Sequence, residues 1–234
     1  MLEIEGLTRR YGDEFAVDGL STRLARGELT VLVGRSGAGK TTLLRCLDRL
    51  ESPNAGTITV DGASLSATDA ALVFQSGALV DGKSAVENVL DGALGREPAW
   101  RELLGWHSTN EKRVAVERLH DVGLAGYASR PVEALSGGQQ QRVGIARALH
   151  QQPDVLLADE PVASLDPETG RSVLAVLAQA VREHGLTGLV SLHQPGLATS
   201  VADHYLGMSN GQLILDRRAE QVNNDDIEEV YAGE

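Results

Sequence analysis

The chain has 234 residues, 42% of them hydrophobic, which predicts one large globular unit rather than a disordered segment. A formal charge of −12 and a pI near 4.9 argue against a nucleic-acid face, which concentrates Lys and Arg to neutralise phosphates, so no nucleic acid is expected among its partners. The longest apolar runs fall far short of the roughly 20 residues of a bilayer span, and 1-MLEIEGLTRR-10 lacks the apolar core of a signal peptide, so the expectation is a cytoplasmic or membrane-peripheral protein.

The single cysteine, Cys46, has no internal partner and sits among leucines, which predicts a buried apolar residue rather than a reactive thiol. Only Lys40, Lys83 and Lys112 are lysines. Such an acidic, lysine-poor surface fits either a salt-rich cytoplasm, where net charge maintains solubility, or an ordinary acidic protein from a GC-rich genome.

In chain order, 2-LEIEGLTRRYG-12 and 56-GTITVDG-62 suggest short antiparallel strands. Between them, 29-LTVLV-33 reads as a buried strand and runs straight into 34-GRSGAGKT-41, which fits G-x-x-x-x-G-K-[ST] in the strand-to-helix context that makes the motif credible. Here Gly34, Arg35, Ser36, Gly37, Ala38 and Gly39 let backbone N–H groups turn around phosphates, and the helix start adds positive potential. Lys40 reaches the β and γ phosphates, Thr41 supplies a hydroxyl for Mg²⁺, and Thr42 touches the α phosphate. Leu43, Leu44, Leu47 and Leu50 then share one helix face.

From about 77 to 150 the pattern is helical, with 86-VENVLDGAL-94, 111-EKRVAVERLHDV-122 and 139-QQQRVGIARALH-150 and no convincing strand between them. This predicts a helical subdomain inserted into an α/β core. Ser136 is a good N-cap, and Gly137 and Gly138 leave N–H groups open ahead of inward-facing Val143, Ala146 and Leu149, a second helix start able to receive an anion. For S-G-G alone, an ordinary capped helix is the favoured reading.

Farther on, 155-VLLADEP-161 is an apolar strand ending in two carboxylates, where an open α/β sheet collects ligands. Beside a phosphate loop, Asp159 is the candidate to hold Mg²⁺ and Glu160 the candidate to polarise attacking water. A helix follows through Val173, Leu174, Leu177, Ala180 and Val181, then strands 187-TGLVSL-192 and 205-YLGM-208. The tail offers only Ile227, Val230 and Tyr231 as a small face, which predicts a weakly docked last helix.

Taken together, 34-GRSGAGKT-41, Gln75, 135-LSGGQ-139, 155-VLLADE-160, 164-SLD-166 and His193 resemble, in order and over essentially the whole chain, the ATP-binding cassette ATPases. The resemblance implies a P-loop NTPase α/β fold: a RecA-like core with a mostly parallel sheet, a small antiparallel β-subdomain and an inserted α-helical subdomain, all within one nucleotide-binding domain spanning 1–234. It implies ATP and Mg²⁺ as cofactors, with Tyr11 stacking on adenine, Gln75 sensing Mg²⁺ and His193 contacting the γ phosphate. It also implies a head-to-tail homodimer, in which Ser136, Gly137, Gly138 and Gln139 close on the partner's nucleotide and Asp166 crosses to the partner subunit.

The length leaves no membrane domain, so the chain looks like a free importer subunit on the cytoplasmic face of the cell membrane. The stretch 84-SAVENVLDGALGREPAWRELLGWHSTNEK-112, with Trp100 and Trp106, and 190-VSLHQP-195 are similar to the ATP-binding subunits of phosphonate importers. That similarity implies integral permease subunits docked near Gln75 and Glu87, and an extracytoplasmic phosphonate-binding protein reached through them. The alternative is a non-transport subunit of a soluble complex such as carbon–phosphorus bond cleavage machinery. Two departures from the family pattern are the plain 65-LSATDAALV-73 and Pro195-Gly196 after His193.

Overall fold

The computed structural model describes residues 1–74, 78–93 and 108–232. Its centre is a six-stranded sheet in the order β10-β9-β3-β8-β7-β6, built from β3 (Leu29–Val33), β6 (Ala70–Val73), β7 (Val155–Asp159), β8 (Thr187–Ser191), β9 (His204–Ser209) and β10 (Gln212–Arg218). The five strands from β9 to β6 are parallel, and β10 pairs antiparallel on β9. A second, antiparallel sheet in the order β2-β1-β4-β5 comprises β1 (Leu2–Tyr11), β2 (Glu14–Leu24), β4 (Ala55–Val60) and β5 (Ala63–Ser64).

The apolar runs read from the sequence are continuous because the central strands are buried on both faces. Alternate residues go to different cores. Leu29, Val31, Val33, Leu156, Ala158 and Val190 face one cluster, whereas Leu32, Val155, Leu157, Leu189 and Leu206 face the other. The second cluster is closed by α1 (Lys40–Leu47) and the antiparallel sheet, with Cys46 buried in it as expected.

The first cluster is closed by α2 (Ala85–Leu90), α3 (Thr109–Asp121), α4 (Gly137–His150), α5 (Pro167–Glu183) and α6 (Asn224–Ala232). Among these, α2, α3 and α4 pack on one another, and α4 also packs on β6 and α5. Apart from a bridge between Ser84 and Pro131, the described elements between 78 and 150 are helical. No helix among the described residues is long and apolar enough to cross a membrane.

One expectation changes. Leu50 is 58% exposed rather than on the buried face of α1, because the helix ends at Leu47 and Arg49 takes a left-handed conformation (φ 60) that turns the chain away. The last helix packs through the small face of Ile227, Val230 and Tyr231. Val230 is buried in the main core and fills space left by Gly207, where an added Cβ would lie 2.5 Å from Val230 Cγ2. Arg217 on β10 adds an ion pair to Asp226 at 2.8 Å. A Val230→Ala substitution is expected to lower stability by about 1–2 kcal/mol through lost burial and a residual cavity, read as a lower urea midpoint with unchanged slope.

Candidate functional site

The turn after β3 is shaped by close backbone approach. Gly39 has φ 102, and a Cβ there would lie 2.0 Å from the Ala16 carbonyl oxygen, so only glycine permits this contact with β2. Gly39 also caps α1 without any side-chain bond, leaving its first N–H groups available to an anion. Lys40 is buried, and its ammonium donates to the carbonyls of Gly34 at 2.7 Å and Arg35 at 3.1 Å. Burial pulls its pKa below the usual lysine range, and the charges of Glu160 and Asp159 oppose that pull. Ser36, Gly37, Gly39, Lys40, Thr41, Thr42, Ala16 and Glu160 enclose a recess of about 160 Å³.

The carboxyl end of β7 supplies the acids. Asp159 Oδ1 accepts from Thr41 Oγ1 at 3.3 Å and from Ser191 Oγ at 2.7 Å. Glu160 follows in a left-handed conformation (φ 49) with its N–H donated to Ser191 Oγ at 3.0 Å. His193 Nε2 lies 2.6 Å from Glu160 Oε1. Thus Lys40, Thr41, Asp159, Glu160 and His193, drawn from three segments of the sequence, meet at the strand ends. The facing Thr41 hydroxyl and Asp159 carboxylate are hard oxygen donors of the kind Mg²⁺ uses with phosphate oxygens. Gln75 lies outside the described residues.

Tyr11 is exposed and stands outside the residues enclosing the recess; its hydroxyl bonds Glu51, and the Arg9 guanidinium lies 4.7 Å from its ring centroid. Two residues missed by sequence reasoning complete the site. Ser191 is fully buried, and its signal was a hydroxyl near the end of the apolar strand 187-TGLVSL-192. Tyr231 of α6 donates its hydroxyl to the His193 carbonyl at 3.1 Å, a tertiary contact with no local signal.

At the second helix start, Ser136 and Gln139 form a capping box: Ser136 Oγ accepts from Gln139 N at 3.3 Å and Gln139 Oε1 accepts from Ser136 N at 3.0 Å. Gly138 is required by packing, since a Cβ there would meet Thr169 Cγ2 at 2.4 Å. Ser136, Gly138 and Gln139 line a recess of about 350 Å³ with Arg142, Glu168 and Thr169. It shares no lining residue with the Lys40 recess. Asp166 is exposed and caps α5, accepting from Glu168 N at 3.1 Å and Thr169 N at 3.0 Å, and these backbone bonds hold its carboxyl below the usual range.

The next two glutamines have structural tasks: Gln140 Nε2 donates to the Val132 carbonyl at 2.9 Å and buried Gln141 Nε2 to the Phe74 carbonyl at 3.0 Å. The Phe74 carbonyl opens onto a third and larger groove of about 830 Å³, where exposed Leu50, Phe74 and Val80 stand beside Lys83, Asp91 and Arg147. Lys83 Nζ pairs with Asp91 at 2.8 Å, and Arg147 donates to the Ala78 carbonyl at 2.7 Å. Asp48 lines the same groove, and burial pushes its carboxyl up to about 6. The insert residues Trp100, Leu103, Leu104, Gly105 and Trp106 lie outside the described residues.

Residues 17–163 match the ABC transporter family. The phosphonates import ATP-binding protein PhnC 1 of Natronomonas pharaonis is 67% identical over 231 residues, covering 99% of each chain. Among solved structures, cbiO1 from Clostridium perfringens, part of the ABC transporter complex cbiONQ, has a TM-score of 0.82 at 28% identity, covering 97% of this chain and 92% of its own. The dimeric post-hydrolysis structure of the ATP-binding cassette MJ0796, bound to ADP and Pi, has a TM-score of 0.75 at 28% identity, covering 94% of this chain and 99% of its own.

The groove gives a pH-dependent expectation. Asp48 binds its proton more tightly folded than unfolded, so its contribution favours folding below about pH 4 and is lost as pH rises through about 6. Asp48→Asn is expected to be more stable than the parent at pH 7–8, by on the order of 1 kcal/mol, with the gain vanishing near pH 4; chemical denaturation across that range measures it.

Proposed function

Because the chain belongs to the ABC transporter ATP-binding family, a family of ATPases, we propose that it hydrolyses ATP to power import of phosphonate, or of a related anion such as phosphate or phosphite, through a separate membrane permease. The observation that carries the catalytic half is the Glu160–His193 pair, 2.6 Å apart, at the rim of the recess that holds Lys40. The transported class rests on the 67% identity to a phosphonates import ATP-binding protein over 99% of both chains.

The positions of the described residues support the following roles. Backbone amides from Gly34 through Gly39 cradle the phosphates, Lys40 neutralises the β and γ oxygens, and Thr42 meets the α phosphate. Thr41, Asp159 and Gln75 would hold Mg²⁺, which when bound neutralises charge between the β and γ phosphates. Glu160 orients the attacking water by accepting a hydrogen bond from it. His193, held by its contact with Glu160 and by Tyr231 at its carbonyl, reaches the γ phosphate. Tyr11 stacks on adenine after giving up its bond to Glu51.

The two recesses share no lining residue, which supports a head-to-tail homodimer in which Ser136, Gly137, Gly138 and Gln139 act on the partner's nucleotide and Asp166 approaches the partner subunit. The packing of α2, α3 and α4 on one another supports a domain division into one nucleotide-binding domain over 1–234, with a helical subdomain at about 77–150 inserted into a RecA-like core. The apolar rim of Leu50, Phe74 and Val80 supports docking of permease loops, with Glu87 exposed on α2 nearby in sequence. The protein then works peripherally at the cytoplasmic face of the membrane, and an extracytoplasmic phosphonate-binding protein delivers the anion from the other side.

Glu160→Gln is expected to keep ATP affinity, lower turnover by at least about 100-fold and accumulate an ATP-bound dimer by size-exclusion chromatography; undiminished hydrolysis removes Glu160 from the reaction. Mixing Lys40→Ala with Ser136→Ala chains is expected to rebuild one working site per dimer, and complete loss in every mixture overturns the trans arrangement. Cells deprived of the protein are expected to lose growth on a phosphonate as sole phosphorus source. Co-isolation with soluble enzymes alone, and no multi-span protein, overturns the transport role.

A further inference from the structure

Ser191 is the one fully buried hydroxyl that touches both carboxylate residues of the site. Its neighbours in sequence, Val190 and Leu192, are buried apolar residues, and the strand needs no polar side chain there to form. Burying a hydroxyl costs free energy unless its donor and acceptor capacities are used. Both are: Ser191 Oγ donates to Asp159 Oδ1 at 2.7 Å and accepts from the Glu160 N–H at 3.0 Å.

Each bond constrains a different property. Asp159 Oδ1 receives Ser191 and Thr41 together, which fixes the carboxylate plane and leaves Oδ2 free of these two bonds. The Glu160 N–H bond holds a non-glycine residue in the left-handed region (φ 49), a conformation that L side chains disfavour. That backbone setting is what places Glu160 Oε1 2.6 Å from His193 Nε2. Because β7 and β8 are adjacent parallel strands with Asp159 opposite Ser191, the hydroxyl is delivered by sheet register rather than by a mobile loop.

We propose that Ser191 is a positioning residue that sets Asp159 and Glu160 in their working orientations through one hydroxyl. The inference rests on the roles assigned to those two acids, and it extends them to a residue that acts through both.

The test compares Ser191→Thr and Ser191→Val, which have nearly the same shape and differ in the hydroxyl. Ser191→Thr is expected to retain kcat within about threefold, while Ser191→Val loses about tenfold or more, with KM for ATP changed less than threefold in both. Equilibrium binding gives a readout independent of turnover. The factor by which Mg²⁺ strengthens ATP binding over EDTA is expected to fall in Ser191→Val and hold in Ser191→Thr. Ser191→Ala, which adds no volume, is expected to follow Ser191→Val and serves if threonine impairs folding. Equal kcat and equal Mg²⁺ enhancement in the valine, threonine and parent proteins overturn the inference. So does loss in threonine and valine alike with alanine intact, since that marks a packing role. Glu160→Gln measured in parallel separates the two levels: retained hydrolysis there defeats the assignment of Glu160, whereas its loss beside an unaffected Ser191→Val defeats only the role of Ser191.

Discussion

A parallel sheet buried on both faces has no room along its length for charged groups, so charge gathers where the strands end. In this protein that constraint brings the site together. β3, β7 and β8 are adjacent in the sheet, and the loop before α1, the Asp159-Glu160 pair and the segment from Ser191 to His193 leave them at the same end. The residues are far apart in sequence, yet the register that pairs Asp159 with Ser191 and Leu32 with Ser191 sets their spacing. The chemistry therefore depends on apolar packing. Whatever shifts a strand by one residue exchanges its two faces and dissolves the carboxylate arrangement along with the core.

Helix α4 gives that packing a second consequence. Its 14 residues span about 21 Å at 1.5 Å per residue, with Ser136 and Gln139 at one recess and Arg147 and Ala148 at the large groove. Between them Gln141 is bonded to the Phe74 carbonyl, one residue before Gln75. The helix packs on α2, α3, α5 and β6, so one element joins the surroundings of the two openings. The glutamine run thus has three separate structural duties, namely capping, anchoring the preceding turn and bracing the loop before Gln75.

How much of this could be read from residues depends on how local the cause is. The strands β3, β7 and β8 were legible because double burial writes an uninterrupted apolar run, and the Gly34–Thr41 turn because its glycines answer local geometry. By contrast, β2 was not anticipated: half its length is exposed or irregular, and its pairing with β1 breaks register between Ile4 and Leu7, between Leu7 and Arg9 and again between Arg9 and Arg10. β6, with only Ala70 to Val73, is too short and small to announce itself. Leu50 matched the helical spacing but lies beyond Arg49, whose left-handed backbone no periodicity reports. Ser191 and Tyr231 owe their positions to strand register and to tertiary packing. A serine near the end of an apolar strand was visible in the sequence, but its meaning needed the neighbouring strand.

The electrostatics are decided locally in the same way. A chain of net charge −12 repels a polyanion at long range, yet charges beyond a Debye length of about 8 Å at physiological salt contribute little. Within that radius stand a buried lysine, an uncapped helix start and two carboxylates that work against nucleotide entry. Lys40 bonded to its own loop carbonyls can turn to phosphate oxygens, while Asp159 is already engaged by Thr41 and Ser191. Neutralising those acids is the task that a divalent cation is suited to, since oxygen donors without a complete protein cage leave coordination sites for phosphate and water. Under the proposed function, that negative charge would favour a nucleotide arriving with its metal over the free polyanion.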